Sequence, residues 1–407
     1  MEEKREEKIV VKKPHWFYYG VTARVVKLIS KLVFGLKINN KAVKKLKEPF
    51  VVIGNHAGAL DIAFTVAAMV PHRLNIVMSR EICSWKAIRP FVGKIAAIPF
   101  NQISTDIVGL RTIKSALEQN RNIIIYPEGK ASHDGTGLHY IPISVAKLLK
   151  FLDVTVVLSY NEGAYLTKPR FFKGFRHGKT RVTESILFTR EEIRSLSLEE
   201  IIERVRKALA FNDNIYQREN NIRFRTKTPA QNLSFILYKC PKCGAEYKMR
   251  STDRLLICDA CDNTVEYTEY GELIPKGDSV AYDRVDLWYA FQREAATEEV
   301  RKEDFLFTKE VELELLKNMD ESFYTAGEGV LKMDRKELVY EGTKDNAPYR
   351  LAIPMKKLHT LITKNEEGID LVRTDGVYRF LFKDPWGSTK MCLLGEQIFA
   401  LENNLIQ

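Results

Sequence analysis

Two apolar runs in this 407-residue chain stop abruptly at polar turns, and they restrict the folds open to it. Phe50 to Ile53 gives way to Asn55, His56 and Gly58, and Asn122 to Tyr126 gives way to Pro127, Glu128 and Gly129. A short uninterrupted apolar run has no polar face, so it reads as a strand buried on both sides, as in a parallel sheet covered by helices. Runs at Leu74–Met78, Ile95–Phe100 and Val154–Tyr160 alternate with helical stretches such as Ile62–Val70 and Asp106–Gln119. That rhythm predicts an α/β layer with a largely parallel sheet, and the polar motifs fall where its strands end.

The first turn, within VVIGNHAGALDIA, separates His56 from Asp61 by four residues. On one continuous helix the two would point about 140° apart, so their side chains meet only if a turn intervenes. Gly58 supplies one. With Asp61 opening the next helix, its carboxylate can hold one imidazole nitrogen and leave the other facing a pocket, ready to take a proton from an alcohol. The second segment, IIIYPEGKAS, ends its strand in a Pro-Glu-Gly turn beside Lys130.

Together the two segments resemble the glycerolipid acyltransferase family, in particular its lysophosphatidic acid acyltransferases. The family pattern is Asn-His, four residues, Asp, and later Phe-Pro-Glu-Gly-Thr-Arg-Ser. Asn55, His56 and Asp61, then Tyr126, Pro127, Glu128, Gly129 and Ser132, match it in order. The resemblance extends over about residues 14 to 220 and takes in Ser79-Arg80-Glu81-Ile82, Gly93 to Phe100 and Ile141-Pro142-Ile143. It implies transfer of a fatty acyl group from an acyl thioester, acyl-CoA or acyl carrier protein, to a lysophospholipid hydroxyl such as that of 1-acyl-glycerol-3-phosphate. His56 is then the general base and Asp61 orients it, with Asn55, Glu128, Gly129 and Ser132 on the substrate side. The family's phosphate-binding arginines are absent here, near Phe100 to Gln102 and at Ala131. Lys130, Arg80, Lys86 and Arg111 are the replacement candidates, although a lysine is a point charge and does not copy a bidentate guanidinium. A different acceptor is therefore the alternative.

Four of the six cysteines form two close pairs, Cys240-Pro-Lys-Cys243-Gly and Cys258-Asp-Ala-Cys261-Asp-Asn, with fourteen residues (244–257) between them. Such knuckles bring four thiolates to one tetrahedral zinc, and Gly244 and Asn263 are positioned to supply left-handed backbone. Four protein ligands leave no open position, so the zinc is structural. The segment looks like a zinc ribbon and points to a reducing compartment. Cys83 and Cys392 read as buried packing residues.

The expected domains are 1–232, the α/β acyltransferase domain, with the polar stretch Asn212 to Gln231 closing it; 233–272, the ribbon; 273–303, a helical linker with its helix at Val285–Val300; and 304–407, a β-rich domain. In the last, Val311, Leu313 and Leu315 alternate with Glu310, Glu312 and Glu314, a strand with one buried face. Further strands are expected at Gly329–Met333, Leu338–Glu341, Tyr349–Ile353, Leu358–Thr363, Ile369–Arg373, Val377–Phe382 and Thr389–Leu394, before a helix over Glu396–Leu405. This order resembles a pleckstrin-homology or GRAM-like domain, which implies a lipid-binding, protein-binding or scaffold role.

Lys and Arg outnumber Asp and Glu by 63 to 53, a net charge of +10 that suits an anionic partner. No stretch reaches the ~18 uninterrupted apolar residues of a spanning helix, and the charged start MEEKREEKIVVKKP has no signal-peptide core. Residues 14–38 instead form an amphipathic segment. Val21, Val25, Leu28, Ile29, Leu32 and Leu36 share one stripe, Arg24, Lys27 and Lys31 another, and Trp16, Phe17, Tyr18 and Tyr19 lead in. Such a helix either lies in an anionic lipid interface or docks on a core. The lipid reading predicts a cytoplasmic protein peripheral on the membrane. The competing class is a non-catalytic lipid- or nucleic-acid-binding protein. Nucleic acid is disfavoured because Glu246, Asp253, Asp259, Asp262, Glu266 and Glu269 offset Lys239, Lys242, Lys248, Arg250 and Arg254 around the cysteines.

Overall fold

A computed structural model of the chain describes residues 9–85, 89–100, 106–137, 140–317, 322–364, 367–373, 375–384 and 386–405. The chain divides into two compact units. The first comprises Met1–Ser132, Gly137–Tyr165 and Gly178–Asn212, the second His133–Thr136, Leu166–His177 and Asp213–Gln407. The expected boundary at residue 232 is thus displaced to Asn212. Residues 213–232 belong with the second unit because they hydrogen-bond to the turn at Glu269. The Phe224 amide and the Gln217 side chain both donate to the Glu269 carbonyl at 2.9 Å, and Arg223 pairs with the Glu269 carboxylate at 2.6 Å. A polar sequence reads as a linker only while its distant partner is unseen.

In the first unit the strands are β1 (Lys37–Asn39), β2 (Phe50–Gly54), β3 (Leu74–Ser79), β4 (Ile98–Phe100), β5 (Asn122–Ile125), β6 (Thr155–Glu162) and β7 (Arg181–Phe188). They lie in the order β1-β7-β6-β2-β5-β3-β4. All neighbouring pairs are parallel except β6 with β7, which is antiparallel. Val51, Ile53, Ile123 and Val156 of the central strands enter one apolar core with Ile113, Ala116 and Leu117 of the Ile107–Glu118 helix and Val145, Leu149 and Leu152 of the Ser144–Leu152 helix. The charged segment after β7 forms two helices, Arg190–Ser195 and Leu198–Leu209. Each opens on a capping box, Thr189 with Glu192 and Ser197 with Glu200, which satisfies two otherwise orphaned amides at each start.

The first helix, Trp16–Phe34, ends at Gly35, whose φ of +59° allows the chain to turn back so that the Leu36 amide reaches the Ser30 carbonyl. It buries Tyr19, Ala23, Ser30 and Phe34. The predicted apolar stripe points the other way. Val21, Val25, Leu28, Ile29 and Leu32 are exposed, Leu32 at 76%, together with Trp16 at 70%, Phe17 and Tyr18. Only Leu36, beyond the helix, is buried. No helix of the described residues is long and apolar enough to cross a membrane.

The second unit contains a four-stranded antiparallel sheet in the order β11-β10-β9-β8, with β8 at Met249–Ser251, β9 at Leu255–Cys258, β10 at Thr264–Tyr267 and β11 at Leu273–Pro275. The helix Val285–Val300 follows. It is no loose linker: Trp288 is fully buried and its indole N–H donates to the Lys239 carbonyl at 2.9 Å, while Gln292 accepts from the Lys239 amide and donates to the Ile236 carbonyl. A seven-stranded antiparallel sheet comes next. Its strands are β12 (Phe307–Leu316), β13 (Tyr324–Met333), β14 (Glu337–Lys344), β15 (Ala347–Pro354), β16 (Ile362–Lys364), β17 (Gly368–Arg373) and β18 (Gly376–Phe382), in the order β15-β14-β13-β12-β18-β17-β16. Thr389–Leu394, expected as a strand, is instead the first half of the helix Ser388–Glu402. That half is buried all round, so its sequence carries no helical period to distinguish it from a buried strand.

Candidate functional site

β2 and β5 are parallel neighbours, with Ile53 in register with Ile125, so the turns after them emerge at the same sheet edge. Two backbone hydrogen bonds then fix His56 against the second turn. Its amide donates to Glu128 Oε1 at 2.7 Å, and its carbonyl accepts from the Ser132 amide at 2.9 Å. Glu128 is buried to 1% exposure, and Gly129 takes a φ of +74°, which closes the turn by returning its amide to the Tyr126 carbonyl.

The His56 side chain is tied just as closely. Nδ1 lies 2.9 Å from Asp61 Oδ2, which also accepts from the Gly58 amide at 2.8 Å. Asp61 is the first residue of the Asp61–Met69 helix, where a negative charge is favoured by the helix dipole. Gly58 has an ordinary backbone conformation. It is small because a Cβ there would lie 3.3 Å from the Ala164 carbonyl oxygen and 3.4 Å from the Tyr165 Cα. Asp61 is fully buried, whereas the His56 side chain keeps 20% exposure. Burial pushes the Asp61 carboxyl above the ordinary aspartate range, opposed by its bonds to His56, Gly58 and Ala57. Nε2 of His56 takes no hydrogen bond from the described residues. The Tyr126 ring packs on the imidazole with centroids 4.8 Å apart.

The other predicted site residues are distributed as follows. Asn55 is fully buried, and its carboxamide clamps β6: Nδ2 donates to the Asn161 carbonyl at 2.8 Å and Oδ1 accepts from the Asn161 amide at 2.7 Å. It braces the strand end. Lys130 and Ser132 are buried immediately after the turn. Arg80 follows β3 as the first residue of the next helix, half-buried, and its Nε takes no hydrogen bond from the described residues. Arg111 is exposed on the Ile107–Glu118 helix. Lys86 and Gln102 lie outside the described residues.

Sequence reasoning missed a set of polar groups behind the site. Thr65 Oγ1 lies 3.1 Å from the Tyr126 hydroxyl and 2.7 Å from Ser159 Oγ, and Ser159 donates to Glu184 Oε1 at 2.9 Å. Local pattern gives no sign of their meeting: Ser159 and Asn161 are polar residues on the buried face of β6, and Glu184 stands directly opposite Ser159 only through the register of β6 with β7. Burial pushes Glu184 up to about 8 and the Tyr126 phenol well above its usual value.

In the second unit the ligand atoms of Cys240, Cys243, Cys258 and Cys261 all lie within 4.8 Å of one another. The Cys240–Cys261 and Cys243–Cys258 sulfurs are 3.7 and 3.8 Å apart, matching the ~3.8 Å edge of a tetrahedron with 2.3 Å zinc–sulfur bonds. Burial raises the Cys240 and Cys258 thiols, opposed by backbone amides of Lys242 and Cys243 at Cys240 and of Ala260 at Cys258, while the Ala245 amide lowers Cys243 to about 7. The donor set fits a tetrahedral thiophilic ion. Gly244 is left-handed, with φ +75°, but the matching residue of the second knuckle is Asp262, φ +55°, and not Asn263. Asn263 is buried and holds Val280 through both atoms of its carboxamide. Cys83 and Cys392 are buried.

Residues 35–159 match a family model described as Acyltransferase. A protein of Bacillus subtilis (strain 168) described as 1-acyl-sn-glycerol-3-phosphate acyltransferase is 24% identical over 156 residues, 38% of this chain and 77% of that protein. Among solved structures, the 1-acyl-sn-glycerophosphate (LPA) acyltransferase PlsC from Thermotoga maritima aligns with a TM-score of 0.38 and 16% identity, over 46% of this chain and 79% of that one.

Proposed function

We propose that the chain, whose residues 35–159 match the acyltransferase family model, is an O-acyltransferase moving a fatty acyl group from acyl-CoA or acyl carrier protein to the hydroxyl of a lysophospholipid. The observation that carries this reading is the 2.9 Å contact of His56 with Asp61, held by two backbone bonds to the segment around the Pro-Glu-Gly turn. His56 Nδ1–H is held by the carboxylate, so Nε2 accepts the proton of the acceptor hydroxyl as its oxygen attacks the thioester carbonyl. The C–S bond then breaks, and the leaving thiolate takes that proton back from the imidazolium, which Asp61 has stabilised. The thioester is already activated, so alignment of the alcohol is the larger task. Glu128 serves by bracing the His56 backbone, and Gly129 by closing the turn.

The relative from Bacillus subtilis supports 1-acyl-glycerol-3-phosphate as the acceptor. In the absence of the family arginines, Arg80, Lys130 and Arg111 are the proposed acceptor-phosphate contacts. The exposed apolar stripe and aromatic lead-in of the first helix favour a peripheral position on an anionic phospholipid surface, in a reducing compartment such as the cytoplasm. The four cysteines hold a structural zinc within a ribbon, and β12–β18 with their closing helix form a pleckstrin-homology-like scaffold.

The test is to incubate the full chain and a labelled acyl thioester with a panel of lysophospholipids and glycerol phosphates. Label is expected on a lysophospholipid, and His56→Ala should lower transfer by roughly 10²–10⁴-fold while leaving the thermal midpoint unchanged. Label on no alcohol, from folded protein, would replace this reading with that of a non-catalytic lipid binder.

A further inference from the structure

We propose that Thr65 is a positioning residue for His56, acting through a chain of hydroxyls that anchors the Tyr126 ring against the imidazole; this rests on the reading of His56 given above. Thr65 lies four residues after Asp61 on the same helix, so the two project from one face. Asp61 holds the edge of the imidazole, and Thr65 holds the ring packed on its face. A single helix thereby sets both the in-plane direction and the tilt of the base.

The hydroxyls form one continuous chain. Each hydroxyl has one proton to donate. Ser159 gives its proton to Glu184 Oε1, which leaves the Ser159 oxygen to accept from Thr65 at 2.7 Å. Thr65 then accepts from the Tyr126 hydroxyl at 3.1 Å and from Asn161 Nδ2 at 3.4 Å. With the Glu184 carboxyl neutral and its proton on Oε1, the donors reverse along the same path and Thr65 donates to the Tyr126 hydroxyl, so the Tyr126–Thr65 bond is kept in both directions. Thr65, Ser159 and Asn161 are fully buried, so water does not substitute for a lost member. Asn161 also takes both ends of the Asn55 carboxamide, which ties the same chain to the strand end that presents His56.

The family pattern has phenylalanine at the place of Tyr126, so the hydroxyl is a departure of this chain from that pattern. A ring without that tether is held by packing alone. Small departures of a reacting group from its productive geometry are costly, up to roughly 100-fold for about 1 Å.

The experiment compares Thr65→Val, Thr65→Ser and Tyr126→Phe with the unaltered protein and with His56→Ala in the acyl-transfer assay. Thr65→Val and Tyr126→Phe should each lower kcat roughly 10- to 100-fold with KM for the acceptor nearly unchanged, and Thr65→Ser should restore it. Tyr126→Phe leaves no buried hydroxyl of its own unpaired, so it tests the tether even if Thr65→Val unfolds. Full kcat in Tyr126→Phe overturns the inference, as does equal loss in Thr65→Ser and Thr65→Val. An active His56→Ala would remove the reading on which it rests, whereas an inactive His56→Ala beside a fully active Tyr126→Phe removes this inference alone.

Discussion

Glu184 stands on the buried face of β7 with one carboxylate oxygen bonded to Ser159 and the other without a hydrogen-bond partner among the described residues. Burial lifts it from 4.5 to about 8, so the folded protein binds this proton more tightly than the unfolded chain does. Its contribution to stability is full below pH 4.5, declines as pH rises from 4.5 to 8, and is lost above that window. Glu184→Gln removes the ionisable proton and keeps the shape. The variant should therefore match the parent at pH 5 and exceed it at pH 9, by about 2–4 °C in Tm for each kcal/mol recovered, as read by thermal unfolding across that range. His56 and Asp61 were legible in the sequence because both sit within one short turn after an apolar run. Glu184, Ser159 and Thr65 were not, because their meeting depends on the register of β6 with β7 and on a helix crossing that local pattern does not specify.

The Trp16–Phe34 helix carries its apolar stripe outward, and Arg24 and Lys31 are exposed on it as well. Burying such a stripe in a lipid interface gains about 25 cal/mol per Å² of apolar surface removed from water, to which the basic side adds attraction for anionic headgroups. Leu28→Glu with Leu32→Glu should weaken binding to vesicles containing anionic lipid by at least ~10-fold, measured by co-sedimentation, with Tm unchanged since neither residue is buried. Unaltered vesicle binding would mean the stripe serves another surface. The helix and its stripe were legible from spacing alone, but which side faces the protein was not. Tyr19, Ala23, Ser30 and Phe34 form the docking face, and only Phe34 and Tyr19 among them are large. At the other end of the chain, the buried half-helix from Ser388 escaped detection because every position in it meets protein. Even Lys390 lies inward, paired with Glu246 at 2.7 Å and Glu299 at 2.8 Å.

At the scale of the molecule, the cysteine cluster is the joint of the second unit. Lys239, beside the first knuckle, is held by Trp288 and Gln292 of the Val285–Val300 helix, and Glu246, just after it, by Lys390 of the closing helix. Loss of the proposed zinc should therefore weaken the whole unit. Dialysis against a strong zinc chelator, or Cys243→Ser, is expected to lower the Tm of the second unit, and zinc content by mass spectrometry should fall from one per chain. A Tm indifferent to chelation would show the cluster to be held without metal. The four cysteines of the knuckles were legible, since they lie within 22 consecutive residues (240–261); the helices that grip them were not, because those contacts span about 50 to 150 residues.

The second unit borrows His133–Thr136 and Leu166–His177 from the first half of the chain. During synthesis these pieces leave the ribosome long before the strands that receive them. His133 and Arg170, which both bond to Thr363 of β16, must wait for some 230 and 193 further residues, roughly 10–50 s at ordinary elongation rates. Nascent chains are thus most in need of a chaperone in that interval, and no single cut can release the carboxyl-terminal half as an independent piece.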